Sequence, residues 1–178
     1  MNIDILLSGF GGQGLMSVGK IIARAVIKDG KNTTWFPSYG AEVRGGTAHS
    51  FVRISDSIIA SPLMKPPDIA VFLNQPSLDK FEKQIKSGGL LICNSDVLQR
   101  EPVCDGVEII KAPLNSIALE CDNIKVANTV ALGVLTAARP RILKRQIVID
   151  VLKETFKRQD LVSQNIKAFY KGEKVVNR

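Results

Sequence analysis

Two glycine-dense stretches hold most of the side chains in this sequence that could meet a ligand. The first, Gly9-Phe10-Gly11-Gly12-Gln13-Gly14, is a GxGxxG run. Glycines there admit positive φ and let backbone N–H groups approach a phosphate at the positive end of a following helix. A dinucleotide site also needs an acid at the end of the next strand, to bind ribose hydroxyls. That place is taken by Trp35-Phe36-Pro37-Ser38, and Asp29 comes too early. The NAD or FAD reading thus lacks its second half. A contact to some other phosphate or anion, and a strand-to-helix turn that needs glycine for packing alone, both stand.

The second stretch runs from Pro37 to His49 and carries Ser38, Tyr39, Glu42, Arg44, Gly45 and Gly46. Arg44 could grip a phosphate or carboxylate through both guanidinium N–H groups, or hold Glu42 and the loop itself. His49 is the only histidine and has no Asp, Ser or Cys paired with it in sequence context, so it reads as a packing residue. Asn74 and Gln75 offer amides suited to hydrogen bonding, not to acid–base work. Asn128 is either the cap of a helix or a group that pins a loop, and the cap is favoured. No activated nucleophile, carboxylate pair or metal-ligand cluster stands out. By its residues alone the chain reads as a binding or assembly domain, with no catalytic set and no metal site.

The elements that position these residues follow from hydrophobic period. Ile3–Ser8 is a strand ending in glycines, and Leu15–Lys28 carries apolar residues at helical spacing. Thr33–Phe36 and Thr47–Ile54 read as strands, with Ser57–Ala60 as the hairpin partner of the latter across a turn at Ser55-Asp56. Asp68–Leu73, Leu90–Cys93 and Val107–Ile110 are further strands, the first two apolar enough to be buried on both faces. Helices are expected at Pro76–Lys86, Leu114–Cys121, Val126–Ala137, Pro140–Lys157 and Leu161–Lys171. Strands alternating with helices give an α/β fold: a mostly parallel, doubly wound, Rossmann-like sheet with an inserted β-hairpin and C-terminal helices. In such a sheet the loops after successive strands gather at the carboxyl edge, which brings the second glycine stretch, Asn74 and Gln75 toward the first.

The 178 residues predict one domain, with a core over about 1–138 and a basic helical segment over about 139–178. Hydrophobic residues at 45% and charged residues at 23% are ordinary globular usage and exclude disorder, collagen and coiled coil as overall classes. No apolar run is long enough to cross a bilayer and Met1-Asn2-Ile3-Asp4 lacks a basic leader, so a cytoplasmic location and no membrane partner are expected. The three cysteines, Cys93, Cys104 and Cys121, are too few and scattered for a disulfide framework and read as small buried hydrophobes. The net charge of +7 arises entirely within residues 139–178, which hold 11 basic and 4 acidic side chains against 13 of each before them. No evenly basic face runs through the domain and no RNP-like, KH or zinc-finger pattern accompanies that excess, so nucleic acid is not the expected partner.

Taken together, GFGGQG (Gly9–Gly14), PSYGAEVRGGTAHS (Pro37–Ser50), KPPDIAVFLNQ (Lys65–Gln75), GGLLICNSD (Gly88–Asp96) and VANTVALGVL (Val126–Leu135) resemble the gamma subunit of 2-oxoacid:ferredoxin oxidoreductases. The likeness is to the 2-oxoglutarate and ketoisovalerate branch, more distantly to pyruvate enzymes, and covers roughly residues 1–140. It implies one subunit of a complex that oxidatively decarboxylates a 2-oxoacid to acyl-CoA and reduces ferredoxin, the isolated chain being inactive. Thiamine diphosphate and iron–sulfur clusters would reside in partners: thiamine-binding alpha and beta subunits and a ferredoxin-like cluster subunit. This chain has neither a GDG-type thiamine segment nor a cysteine ladder. Coenzyme A would be contacted by Gly9, Gly11, Gly12, Gln13 and Gly14, with Ser38, Tyr39, Arg44, Gly45, Gly46, Asn74 and Gln75 around the same cleft. The competing readings are a stand-alone nucleotide-binding oxidoreductase and a nucleic-acid-binding protein acting through the basic C-terminal segment.

Overall fold

The computed structural model describes residues 1–39, 47–61 and 65–176. In chain order the elements are β1 (Asn2–Phe10), α1 (Leu15–Lys28), β2 (Asn32–Tyr39), β3 (Thr47–Ser55), β4 (Ile69–Phe72), α2 (Gln75–Phe81), β5 (Leu90–Asn94), β6 (Glu108–Ala112), α3 (Leu114–Leu119), α4 (Ala127–Ala138), α5 (Arg145–Thr155) and α6 (Gln159–Val176). The strands form one six-stranded sheet in the order β2-β3-β1-β4-β5-β6. β1, β4, β5 and β6 pair in parallel, while β3 is antiparallel to both β1 and β2. Five strands therefore point one way, and β3 is slotted between β1 and β2 against them.

The expected fold class is present, but the hairpin has a different second arm. β3 pairs back along β2, from Asn32↔Ser55 to Tyr39↔Ala48, and residues 57–60 join no strand. An eight-residue ladder offers more paired backbone than a four-residue one. The chain leaves β3 through a local bond instead, the Ser57 N–H donating to the Ser55 hydroxyl at 3.1 Å.

Period two along β1 divides the core. Ile5 and Leu7 face one way and pack with α1, α3, α4, α5 and α6, whereas Leu6 faces α2 in a smaller cluster with Phe72, Leu78, Phe81 and Leu91. The larger cluster includes Phe169 and Ala168, both with no exposed surface, so α6 is built into the core. It reaches α4 through two glycines. A Cβ at Gly133 would overlap the carbonyl oxygen of Phe169, and a Cβ at Gly172 that of Val130. The two helices thus touch backbone to backbone.

Two helix starts differ from the sequence reading. α5 begins at Arg145, and the preceding 140–144 stretch is a turn closed by Leu143 N–H donating to the Arg139 carbonyl. Asn128 is not the α4 cap; it lies inside the helix, whose first turn is preceded by a 3-10 turn capped by Asn123.

Several of the basic C-terminal charges reach acids of the body, and one pairs within its own segment. Arg139 pairs with Glu108, Lys144 with Asp29, Arg145 with Glu173 and Lys171 with Glu120. Lys144 first, then Lys31, holds the Asp29 carboxyl below its ordinary range.

Candidate functional site

Because β3 is inserted in reverse, its beginning lies beside the carboxyl ends of β1, β2 and β4. The cross-strand register aligns Ser38, His49, Ser8 and Phe72 in one row at that edge. Ser38 thereby shares the edge at which β1 ends, two strands away from it across β3. The strand flanking β1 on this side is β3, whose residues at this edge are Thr47, Ala48 and His49, so among the described residues no strand end here carries a ribose-binding acid.

The glycine run is a tight turn held by Gln13. The Phe10 N–H donates to Gln13 Oε1 at 2.6 Å, and the Gln13 N–H to the Phe10 carbonyl at 3.2 Å. Gln13 therefore spends its carbonyl oxygen on its own loop. The glycines divide by what surrounds them. At Gly9 a Cβ would crowd Gln13, Leu15 and Leu73, and at Gly14 it would strike the Asn128 amide, so these two answer to packing. Among the described residues nothing would lie within 4 Å of a Cβ at Gly11 or Gly12. Gly12 and Gly14 hold φ of 92° and 73°, the left-handed region that glycine enters without strain. Asn128 is thus the close neighbour of Gly14 across the turn.

α1 starts directly after this turn, with Gly14 as its N-cap, no side chain capping it and no acid in its first turn. A helix N-terminus left so exposes N–H groups with a partial positive charge, a setting that favours an anion by about 0.3–1 kcal/mol at exposed sites.

Asn74 caps α2: its Oδ1 accepts from the Ser77 N–H at 2.9 Å. Its Nδ2 is buried and has no partner among the described residues. Gln75 is engaged at both ends of its amide, accepting from the Gln99 N–H at 2.8 Å and donating to Asp79 at 2.8 Å. It fastens the segment after β5 to α2. Arg44, Gly45 and Gly46 lie outside the described residues, as does the side chain of Tyr39, whose backbone pairs with Ala48.

One constellation escaped the sequence reading. The Ser8 hydroxyl donates to Ser77 Oγ at 2.8 Å and lies 2.9 Å from His49 Nδ1. With its one proton given to Ser77, Ser8 accepts from Nδ1–H, which leaves Nε2 as the bare nitrogen of a neutral ring. All three side chains are buried, and the imidazole sits edge-on to Phe81 with 4.7 Å between ring centres. Burial, then the nearby Lys80 charge, lowers the His49 pKa from 6.5. The partners come from β1 and α2, so no local spacing announced them. The only trace was a serine closing an apolar strand.

Among the described residues no group of three His, Cys, Asp or Glu side chains could hold a metal ion. Cys93 is buried and its thiol is pushed up to about 12; burial also raises Cys104 and Cys121. None is primed as a nucleophile. No helix among the described residues is long and apolar enough to cross a membrane.

An open α/β sheet with a glycine turn and an uncapped helix start at its carboxyl edge defines a Rossmann-like domain. The chain belongs to the pyruvate ferredoxin/flavodoxin oxidoreductase family, whose match runs over residues 4–175. It is 37% identical over 178 residues to the 2-oxoglutarate synthase subunit KorC of Methanocaldococcus jannaschii, covering 98% of this chain and 94% of that one. It is 34% identical over 171 residues to the ketoisovalerate oxidoreductase subunit VorA of Methanothermobacter thermautotrophicus, covering 96% of this chain but 35% of that one. The chain thus spans about a third of the length of such VorA relatives. Among solved structures, the gamma subunit of a keto/oxoacid ferredoxin oxidoreductase from Geobacter sulfurreducens superposes with a TM-score of 0.87 at 31% identity, covering 98% of each chain. The 2-oxoglutarate:ferredoxin oxidoreductase from Magnetococcus marinus, with 2-oxoglutarate, coenzyme A and succinyl-CoA bound, superposes at 0.89 and 26% identity, covering 99% of this chain and 31% of that one.

Proposed function

We propose that this chain is the gamma-type subunit of a 2-oxoacid:ferredoxin oxidoreductase, contributing a contact to coenzyme A and no catalytic residue. The observation that carries this reading is the end-to-end correspondence with a free-standing gamma subunit, 98% of each chain at a TM-score of 0.87. Thiamine diphosphate and iron–sulfur clusters belong to the partner subunits, alpha, beta and a ferredoxin-like chain, with ferredoxin as electron acceptor. The cytoplasm is the compartment for such an assembly.

The glycine turn fits a phosphate of coenzyme A. Gly11 and Gly12 leave open space in front of the uncapped α1 N-terminus, and no first-turn acid would repel an anion. Ser38 flanks the same edge, Tyr39 ends β2, and Arg44, Gly45 and Gly46 follow in the β2–β3 connection, outside the described residues. Gly9 and Gly14 shape the turn and Gln13 closes it; Asn74 presents the spare amide donor, and Gln75 holds the adjoining segment. When bound, coenzyme A supplies the thiol that takes up the acyl group. The work of this chain is to fix its phosphates by backbone N–H groups.

The test is the complex purified under anaerobic conditions with this chain tagged. Thiamine- and cluster-bearing chains should co-purify, with 2-oxoacid- and CoA-dependent dye reduction. Gly11→Asp adds a negative charge where nothing obstructs a side chain, so KM for CoA should rise at least tenfold with KM for the 2-oxoacid unchanged. A chain that purifies alone sinks the subunit reading, and an unchanged KM for CoA sinks the contact.

A further inference from the structure

The sheet face that bears α2 is covered over its middle strands and open at the β2–β3 end. One cross-strand row runs Phe36, Phe51, Leu6, Ala70, Leu91. Directly opposed residues share a face, so these side chains form one apolar stripe. Leu6, Ala70 and Leu91 are buried, Phe51 is half-buried, and Phe36 is 57% exposed. On the opposite face the β2 and β3 neighbours of this pair, Trp35 and Val52, pack into the core beneath the helices.

Beside Phe51 opens a groove of about 620 Å³, whose apolar lining is Leu6, Phe51, Ile85 and the Pro66-Pro67 pair. Its polar lining includes Lys65, Lys83 and Lys86 and, among the described residues, no carboxylate. Lys86 donates to Asp68 at 2.7 Å. Lys65 and Lys83 have no anionic partner among the described residues and are exposed. Arg100, by contrast, is matched by Asp79 and Glu82. Here an apolar floor and unpaired ammonium groups occur together.

We propose that this groove and the Phe36–Phe51 stripe seat an acidic segment of another subunit of the same oxidoreductase, its carboxylates on Lys65 and Lys83 and an apolar side chain over the aromatic pair. The inference rests on the reading of this chain as a subunit. Charge complementarity selects the occupant: ammonium groups at the rim favour carboxylates and penalise basic surfaces. A two-fold second copy would set these same lysines against one another.

The experiment treats the purified native complex with a water-soluble carbodiimide, which joins an ammonium to a carboxylate only in direct contact, and maps the joined peptides by mass spectrometry. Lys65 or Lys83 should be joined to an Asp or Glu of a different chain. Lys65→Glu/Lys83→Glu together should raise at least tenfold the fraction of this chain lost from the complex on gel filtration at moderate salt. Lys65→Arg/Lys83→Arg should retain it, and the thermal midpoint of the isolated chain should not move in either variant. Joining only to a second copy of this chain overturns the proposal. So does equal acetylation of both lysines in the complex and in the isolated chain, or nucleic acid in the complex whose removal unmasks them. A chain that never co-purifies with other subunits defeats the subunit reading instead, which separates the two failures.

Discussion

The imidazole of His49 is held neutral by a place in the fold: a serine on one side, a phenyl edge on another, and burial throughout. Its pKa is lowered from 6.5 by burial and by Lys80. A histidine lowered in the fold contributes stability that is complete above the unfolded value and is lost as pH falls below it. The denaturation midpoint of the chain should therefore drop between pH 7.5 and 5.5, before the carboxylates begin to titrate. In His49→Gln that drop should be absent, as chemical denaturation at the two pH values would show. Equal slopes in both proteins would mean that His49 does not set the acid limb. Sequence showed the histidine and the serine separately; only the pairing of β1 with β3 set Ser8 opposite His49. Asn74 was the reverse case. Its place after an apolar strand and before Pro76 was legible, and the structure uses it as a cap.

Caps and crossings decide how the elements stay in place. Asn74→Ala removes the acceptor for the Ser77 N–H and should cost about 1 kcal/mol. Asn74→Ser keeps a capping oxygen while deleting the unpartnered Nδ2, so it should lie closer to the wild type, a ranking that urea midpoints will check. The α4–α6 crossing is less forgiving. Gly133→Ala or Gly172→Ala would press a methyl into the facing backbone, a form of overpacking that costs about 1–3 kcal/mol. For a chain of this size each kcal/mol lowers Tm by about 2–4 °C. A calorimetric scan showing no loss in either variant would mean the helices can separate freely. Periodicity revealed α1 to the residue and the existence of every other helix. It could not reveal which helices touch, because a glycine at a crossing looks like any glycine until its neighbour is known.

At the level of the whole molecule the C-terminal segment belongs to the core. α6 buries Ala168 and Phe169 against α4, and α5 packs on α1, so residues 1–138 alone should not retain the native fold. A truncated chain with well-dispersed amide NMR signals would contradict this. The stretches that carry the family likeness in the sequence stop near residue 140, while the family match continues to 175. Charge and apolar period along the chain were enough to determine the α/β class and the glycine turn opening α1, since each depends on neighbours within a few residues. Tertiary structure alone decided that β3 lies reversed between β1 and β2, that Ser8, His49 and Ser77 form one buried chain, and that the basic tail is pinned to acids of the body. Those contacts join residues far apart in the chain, and their energy exists only once the sheet has brought them within reach.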